Sequence, residues 1–390
     1  MISCCAALWL AAVAPAAYPQ AAAQNLTAAE KSAAAGDDET QVTQPANLSP
    51  RLSRHAVADA MRLVADWQLR RAEPRFNQDW TFAALYAGFM AVPAEVSGAK
   101  YQEAMLAMGK KFAWQPGPRP EHADDQAIGQ TYIELYLKYR DPAMIAPIRQ
   151  RMESLTRHVD DPDKLLWWWC DALFMAPPVL SDLYAADRKI SYLDFMDREW
   201  WITSGKLYDP VNHLFYRDAS YLNKRESNGK PIFWSRGNGW VIAGLARVLS
   251  EMPADYPSRG RYVTQFRQMA SAIAALQGRD GLWRPGLLDA EAYPLPEVSG
   301  SAFYTYALAY GINHGLLDKT RYLPVVQKGW AGLLSHVYAD GRLGCIQPVG
   351  AAPGAYTAAS SYVFGVGAYL FAGSEVYKLS TAVGKSRAGR

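Results

Sequence analysis

The chain has 390 residues, half of them apolar, which is enough to build a sizeable hydrophobic core. Its 40 basic and 37 acidic side chains are interspersed and leave a formal net charge of only +3. This balance excludes proteins that bind nucleic acid or a lipid surface through a basic patch, so we expect neither partner. The 13 Trp and 23 Tyr belong mostly to a core, but such an excess also suits a protein that stacks sugar rings.

The N-terminal segment is typical of an export signal. Residues 6–15 form a short apolar run, and the small residues 21–23 offer a cleavage site, although no Lys or Arg precedes the run. The run is too short to span a bilayer. We therefore predict a signal peptide over residues 1–23 and export, to the periplasm. Residues 24–50 are rich in Ala, Gln, Thr and Asp, which predicts a flexible linker ahead of a folded domain over 51–385.

From residue 51 onward the apolar spacing is helical almost throughout, and strand-like alternation is absent. Short loops join the predicted helices, which indicates that consecutive helices pair into six hairpins. The twelve predicted helices cover residues 51–71, 79–91, 98–113, 124–139, 142–158, 165–185, 190–205, 236–251, 259–278, 299–316, 321–338 and 358–379.

A weak internal repeat supports this pairing. Related segments begin near Asp209, Asp280 and Asp340, at a spacing of roughly sixty residues, about one helix pair with its loop. Six hairpins can stack as an open solenoid or close into a ring. Small residues in the even-numbered helices and charged outer faces on the odd-numbered ones favour the ring. We therefore predict an all-α (α/α)6 toroid that forms a single domain.

Cysteine and histidine give no sign of a metal site. The six His are scattered, and no Cys/His cluster has the spacing of metal ligands, so we predict no bound metal. Cys170 and Cys345 could pair in an oxidising compartment, but two buried thiols are the favoured interpretation.

Polar and aromatic residues concentrate where the even-numbered helices begin. In a toroid these six ends meet at one mouth, and their dipoles favour an anionic ligand. The sequence therefore predicts a sugar-binding cleft there. Its candidate side chains include His122, Asp124, Asp125, Trp168, Asp171, Trp234, Arg236, Asn238, Trp240 and Ser299.

Each candidate has a structural alternative. Asp124 and Ser299 could be ordinary helix N-caps, which need only a side-chain oxygen. Asp171 follows three Trp and precedes an apolar run, so burial should disfavour its charged form and let it hold a proton near neutral pH. A buried Asp bonded to backbone is the alternative. Arg236 could pair with a structural carboxylate or bind the carboxylate of a substrate.

Four segments make a family resemblance specific: residues 124–132 (DDQAIGQTY), 168–178 (WWCDALFMAPP), 233–240 (FWSRGNGW) and 299–303 (SGSAF). They resemble the unsaturated rhamnogalacturonyl hydrolases of glycoside hydrolase family 105, close to the unsaturated glucuronyl hydrolases of family 88. The likeness covers roughly residues 55 to 380. It implies a hydrolase without metal or organic cofactor, acting on oligosaccharides whose terminal uronic acid carries a C4–C5 double bond.

The resemblance also implies roles for the candidate residues. Asp171 matches the general acid/base, which protonates C4 before water adds at C5. The second carboxylate is Asp124 or Asp125, with Asp124 favoured. Arg236 and Trp240 match the segment that holds the unsaturated sugar, and Trp168 is expected to stack on it. Four residues at the starts of even-numbered helices complete the candidate substrate-binding set: His122, Trp234, Asn238 and Ser299.

One departure bears on the substrate. Some relatives carry a His soon after residues 214–216, where this chain has Arg217. An Arg presents more donors to a charged or sulfated group, so we add Arg217 to the substrate-binding set.

Rhamnose is the expected neighbour of the uronate, as in rhamnogalacturonan or ulvan fragments. Alternatives are glycosaminoglycan-type or xanthan-type fragments, a conventional inverting glycosidase, and a non-catalytic glycan-binding protein. We expect a monomer or a weak homodimer.

Overall fold

The computed structural model describes residues 44–158 and 164–387. The predicted signal peptide and most of the predicted linker lie outside the described residues. Residues 44–46 run beside residues 337–339, where the amide of Ala46 donates to the carbonyl of Val337 over 2.7 Å. Within the described ranges no helix combines the length and the apolar character that a membrane crossing needs.

Helices that begin at the even-numbered predicted positions form an inner ring. Each packs against the next, and the last packs against the first, so the ring closes. The predicted toroid is therefore confirmed. The inner helices are α2 (Trp80–Ala91), α4 and α5 (Ala123–Gln126, Gly129–Tyr139), α7 and α8 (Ala172–Met175, Pro177–Asp187), α10 (Ser235–Glu251), α12 (Val298–Asn313) and α14 (Val363–Arg387).

The remaining helices form an outer layer, and each packs against at least one inner helix beside it. Their polar faces are exposed and their apolar stripes are buried, as with Val57, Met61 and Val64 of the first helix of the chain. Side-chain caps fix several starts: Ser53 accepts from the amide of Ala56. The outer helices are α1 (Arg54–Ala72), α3 (Ala99–Lys111), α6 (Ala146–Leu155), α9 (Ile190–Leu207), α11 (Arg259–Ala275) and α13 (Lys319–Leu334).

Inner helices approach closely through small residues, as predicted. At the crossing of α2 and α14, a Cβ on Gly88 would lie 2.6 Å from the Cα of Gly367. A Cβ on Gly367 would in turn lie 2.2 Å from the carbonyl oxygen of Ala84. A side chain at either glycine would push the two backbones apart, so this contact requires glycine.

Three predicted inner helices differ from the structure, and the last of them runs over Val363–Arg387 where 358–379 was predicted. The fourth is split after Gln126, and the sixth begins at Ala172 instead of residue 165. Residues 165–171 are not helical because their backbone pairs elsewhere: Trp169 bridges Asp218, and the amide of Cys170 donates to the carbonyl of Arg217 over 2.8 Å. Pro177 then starts a new helix, since proline suits the first helical turn.

A short hairpin between α9 and α10 was not predicted. Strands β1 (Tyr208–Asp209) and β2 (Leu214–Phe215) pair antiparallel. Two-residue strands are too short to show alternation in a sequence. Asn238 holds β2 against α10, because its side-chain oxygen accepts from the amide of Phe215 and its NH2 donates to the carbonyl of the same residue. The hairpin carries Arg217 toward the inner-helix ends.

Both Cys170 and Cys345 are buried free thiols, which confirms the favoured interpretation.

Candidate active site

The non-helical segment before α7 presents an aromatic platform and a carboxyl group. Trp168 is 45% exposed, and it is the one Trp among the exposed large apolar side chains of the described residues. Its neighbour Trp169 is buried and packs against the ring of His122 at 4.8 Å between centroids. The extended backbone therefore turns one indole outward and the next inward, which leaves Trp168 free to stack on a ligand.

Asp171 ends this segment and is largely buried, with 9% of the residue exposed. Within the described ranges it accepts a hydrogen bond from the thiol of Cys170 at 3.2 Å. It lies over Gly237 in the first turn of α10, where a Cβ would be 3.5 Å from its Oδ1. Burial raises the pKa of Asp171, while the nearby charges of Arg217 and Arg236 oppose that rise. The group therefore retains a proton at a higher pH than an exposed Asp.

The doubled carboxylates after His122 have different surroundings. Arg119 binds Asp125 with its guanidinium at 2.8 and 3.0 Å and with its backbone amide at 2.6 Å. Both oxygens of Asp125 are thus committed to the loop that precedes α4. Asp124 makes no such pair, and the imidazole nitrogen Nδ1 of His122 lies 3.7 Å from its Oδ2. The geometry favours Asp124 as the second carboxylate.

Asp124 lies close enough to Asp171 to be affected by its charge. Burial raises the pKa of Asp124 to about 8, and the charge of Asp171 contributes to the rise. Burial also lowers the pKa of His122, so its imidazole is neutral near pH 7 and does not offset the two carboxyls. Two neighbouring acids whose pKa values are both raised by burial are typical of general acid/base sites.

Arg217 lies between the platform and the acid. Its guanidinium is 5.1 Å from the centroid of the Trp168 ring, and its Nη1 donates to Asp218 at 2.6 Å. Its Nε has no hydrogen-bond partner within the described ranges. Arg217 is close enough to Asp171 to affect the pKa of that carboxyl. It can therefore present a positive charge to an anionic sugar that stacks on Trp168.

Arg236 is placed differently from the expectation for a ligand-binding Arg. It is 0% exposed, with its guanidinium between the rings of Trp234 and Phe364 at 4.5 and 4.7 Å. Its two terminal nitrogens donate to the carbonyls of Gln347 and Pro348 at 2.5 and 2.7 Å. In this arrangement Arg236 anchors the loop before α14, and a direct contact with substrate stays a prediction.

Four other predicted residues also lie beneath the surface. Trp240 packs against Phe303 at 4.4 Å between ring centroids, and Trp234 donates its indole N–H to Gln347. The hydroxyl of Ser299 donates to Glu297 at 2.7 Å, and Asn238 holds the hairpin. These side chains support the platform from below, and their contact with substrate likewise stays a prediction.

The sequence reasoning missed Glu297, which is fully buried. Its carboxylate accepts from the amides of Ser299, Gly300 and Gln347, so it caps α12 and holds the loop that Arg236 also binds. The sequence contained a signal for Glu297: it is an acid directly before Val298 and the SGSAF segment, and acids are favoured at helix starts. Over residues 44–158 and 164–387, no three His, Cys, Asp or Glu side chains converge to hold a metal ion.

The raised pKa of Asp124 predicts how the free energy of unfolding depends on pH. In the unfolded chain this carboxyl titrates near 4, and in the folded protein at about 8. Its contribution to the free energy of unfolding is therefore fully present below about pH 4 and is lost as pH rises toward 8. Asp124→Asn removes the titration, so its stability relative to the parent should increase with pH, reaching a few kcal/mol near pH 8.

Thermal unfolding measured from pH 4 to 8 checks this expectation. Asp125→Asn is the matched control, and it should lose stability because Arg119 loses its partner. A difference between Asp124→Asn and the parent that does not vary with pH would contradict the account.

Comparison with known proteins identifies the family that this chain matches. The family profile described as Glycosyl Hydrolase Family 88 matches residues 53–380. The curated "Unsaturated 3S-rhamnoglycuronyl hydrolase" of Formosa agariphila is 42% identical over 349 residues, covering 83% of this chain and 92% of that protein.

Two solved structures have a TM-score of 0.79 and each covers 84% of this chain. One is a glycosyl hydrolase family 88 protein from Bacteroides vulgatus, with 34% identity and 99% of its chain covered. The other is described as a polysaccharide lyase, with 33% identity and 98% of its chain covered.

Proposed function

The chain belongs to glycosyl hydrolase family 88, and from that membership we propose that it removes a 4,5-unsaturated uronic acid from the non-reducing end of lyase-generated oligosaccharides. It is a glycoside hydrolase. The observation that carries the proposal is the grouping of Asp171, an acid whose pKa is raised, with the exposed Trp168 and with Arg217. A ring that stacks on Trp168 brings its carboxylate toward Arg217 and its double bond toward Asp171.

The proposed reaction begins with proton transfer from Asp171 to C4 of the substrate. The double bond is part of a vinyl ether, so protonation leaves positive charge on C5 and the ring oxygen. Water then adds at C5 and gives up a proton to the Asp171 carboxylate, which restores the acid. The hemiketal opens by cleavage of the bond between C5 and the ring oxygen. The C1 hemiacetal that remains expels the rest of the glycan as an alcohol.

Asp124 has a supporting role in this scheme. When Asp171 is ionised, a protonated Asp124 avoids two adjacent negative charges, and its pKa of about 8 allows this near neutral pH. When Asp171 is protonated, Asp124 can accept a hydrogen bond from the water that attacks C5. The residues are thus sufficient for acid/base chemistry without further groups.

The aglycone is proposed to be a rhamnose that carries a sulfate, as in ulvan fragments. The name of the Formosa agariphila relative includes a 3S-rhamnose unit, and this chain covers 92% of that protein. Arg119 lies beside the acids, pairs with Asp125 and has a side chain that is 56% exposed. A partly exposed guanidinium there suits an anionic aglycone better than a neutral one, while Arg217 serves the uronate carboxylate.

We also propose that the protein is exported, that residues 1–23 are removed, and that it works in the periplasm. The apolar run of residues 6–15 and the small residues 21–23 support this. Secretion of the full-length chain, followed by mass determination of the mature N-terminus, tests it. We propose that the enzyme acts as a monomer or a weak homodimer.

The proposed function is tested with unsaturated disaccharides from lyase digests of ulvan, rhamnogalacturonan, glycosaminoglycan and xanthan. Ultraviolet absorbance follows the conjugated double bond, and a saturated uronide is the control. We expect absorbance to fall for the sulfated rhamnose substrate and the control to stay intact. Cleavage of the control at constant absorbance would indicate ordinary glycoside hydrolysis instead. A rise in absorbance with intact polymer would indicate a lyase.

Trp168→Ala should raise KM by about tenfold, because a lost stacking contact is worth roughly 1–1.5 kcal/mol. The thermal midpoint should change little, since Trp168 is half exposed. Trp168→Phe is the matched control and should recover part of the affinity. An unchanged KM in Trp168→Ala would show that the substrate does not stack on Trp168.

A further inference from the structure

A second groove lies on the outer wall of the toroid, between α9 and α11, away from the inner-helix ends that form the active site. Its volume is about 450 Å³. Trp201 stands at one end and Tyr208 at the other, about 10 Å apart along the axis of α9. That length fits one or two sugar rings. None of its lining residues belongs to the active site.

Two glycines make the groove. A Cβ on Gly205 of α9 or on Gly260 of α11 would meet no heavy atom within 4 Å. Neither position therefore needs glycine for packing, and Gly205 lies within a helix, where glycine is the poorest ordinary helix former. Their effect is to leave open space beside the indole of Trp201.

The polar groups of the groove are fixed. Gln265 is 3% exposed and is held by Trp200 Nε1, which donates to its Oε1 at 2.8 Å. Gln265 Nε2 donates to the hydroxyl of Ser204 at 3.3 Å. At the other end, the hydroxyl of Tyr208 donates to Gln268 Oε1 at 2.8 Å. The groove thus has an ordered hydrogen-bonding wall beside an aromatic ring.

The charge of the groove is positive. The guanidinium of Arg261 lies 3.9 Å from the centroid of the Trp201 ring and forms no ion pair within the described ranges. Helix α11 carries three Arg and no acid. Two acids lie near Trp201 in sequence: Glu199, which pairs with Arg198 at 3.2 Å, and Asp197, whose oxygens accept from the indole of Trp201 and the hydroxyl of Ser258. The Arg261 charge therefore remains open to a ligand.

From this geometry we infer a secondary binding site for an anionic sugar unit of the polysaccharide from which the substrate derives. The sugar ring lies over Gly205 and Gly260 against Trp201, and its sulfate or carboxylate pairs with Arg261. The identity of the occupant rests on the proposed function, which makes that polysaccharide sulfated and uronic-acid-rich. The site holds the enzyme on the polymer while the active site removes chain ends.

The test uses native ulvan that has not been treated with a lyase, so its chain ends carry no double bond. Affinity is measured for the full protein and for Gly205→Leu, which fills the groove from a position with open space. Arg261→Gln removes the charge. Arg267→Gln removes a charge from the same helix outside the groove, and Trp168→Ala alters only the active site. Turnover of the unsaturated disaccharide is measured for each.

We expect Gly205→Leu and Arg261→Gln to weaken polymer binding by at least about fivefold. Arg267→Gln and Trp168→Ala should bind the polymer as the parent does, and Gly205→Leu should keep disaccharide turnover. The inference is overturned if the parent does not bind, if Gly205→Leu binds normally, or if Trp168→Ala loses binding. If the groove variants weaken polymer binding but the parent does not turn over the disaccharide, the secondary site is supported and the proposed function fails.

Discussion

Asp171→Asn should lower kcat by at least about 10³-fold while the protein stays folded, because an amide cannot deliver a proton to carbon. The substitution preserves shape, and Asp171 accepts a hydrogen bond from the weak thiol donor of Cys170, so little packing changes. The raised pKa of Asp171 means that an uncharged Asn also avoids the cost of a buried carboxylate. Stability should therefore be equal to or above that of the parent.

Two measurements separate a chemical role from a structural one. The unsaturated disaccharide should still raise the thermal midpoint of Asp171→Asn, since the Trp168 platform and Arg217 remain. Asp182→Asn is the control: Asp182 is another buried acid whose pKa burial raises, but it lies on α8 beside Arg247. It should keep turnover. Normal activity in Asp171→Asn would remove this residue from the mechanism.

Arg236→Ala should lower the free energy of unfolding by about 3–5 kcal/mol, the usual cost of removing one member of a buried charged network. The substitution leaves the carbonyls of Gln347 and Pro348 without donors and opens space between Trp234 and Phe364. Arg236→Lys should recover only part of this, because an ammonium cannot bridge both carbonyls as the planar fork does.

The contrasting variant is Arg217→Ala. Its guanidinium is partly exposed and lies over Trp168, so we expect a lower kcat/KM with a small change in the thermal midpoint. If Arg236 instead acts mainly on the substrate carboxylate, Arg236→Ala would raise KM and leave the thermal midpoint unchanged. That result would contradict the anchoring role.

Helical periodicity was sufficient to predict the toroid. Helices α1, α2, α9 and α10 begin and end within a few residues of the predicted limits. The pattern failed at residues 165–171, where three Trp in an apolar run look helical but pair with the hairpin through Arg217 and Asp218. Such pairing depends on residues about fifty positions away, which a local pattern does not contain.

The motifs predicted the members of the candidate site but not their exposure. Trp168 and Asp171 lie where a ligand can meet them, whereas Arg236 and Trp240, from an equally distinctive segment, are fully buried. Polarity in the sequence cannot tell a guanidinium that binds substrate from one that binds two carbonyls. The doubled Asp was equally ambiguous until Arg119, five residues before Asp124, was found to bind Asp125.

The central claim is that Asp171 protonates C4 of a vinyl ether, and hydrolysis in D2O tests it most directly. Mass spectrometry of the released sugar, reduced with borohydride at early times, should show one carbon-bound deuterium beyond that taken up by the preformed keto sugar in D2O. Asp171→Asn should yield no product. A released sugar that keeps the double bond and carries no carbon-bound deuterium would contradict the account and indicate displacement at the anomeric carbon.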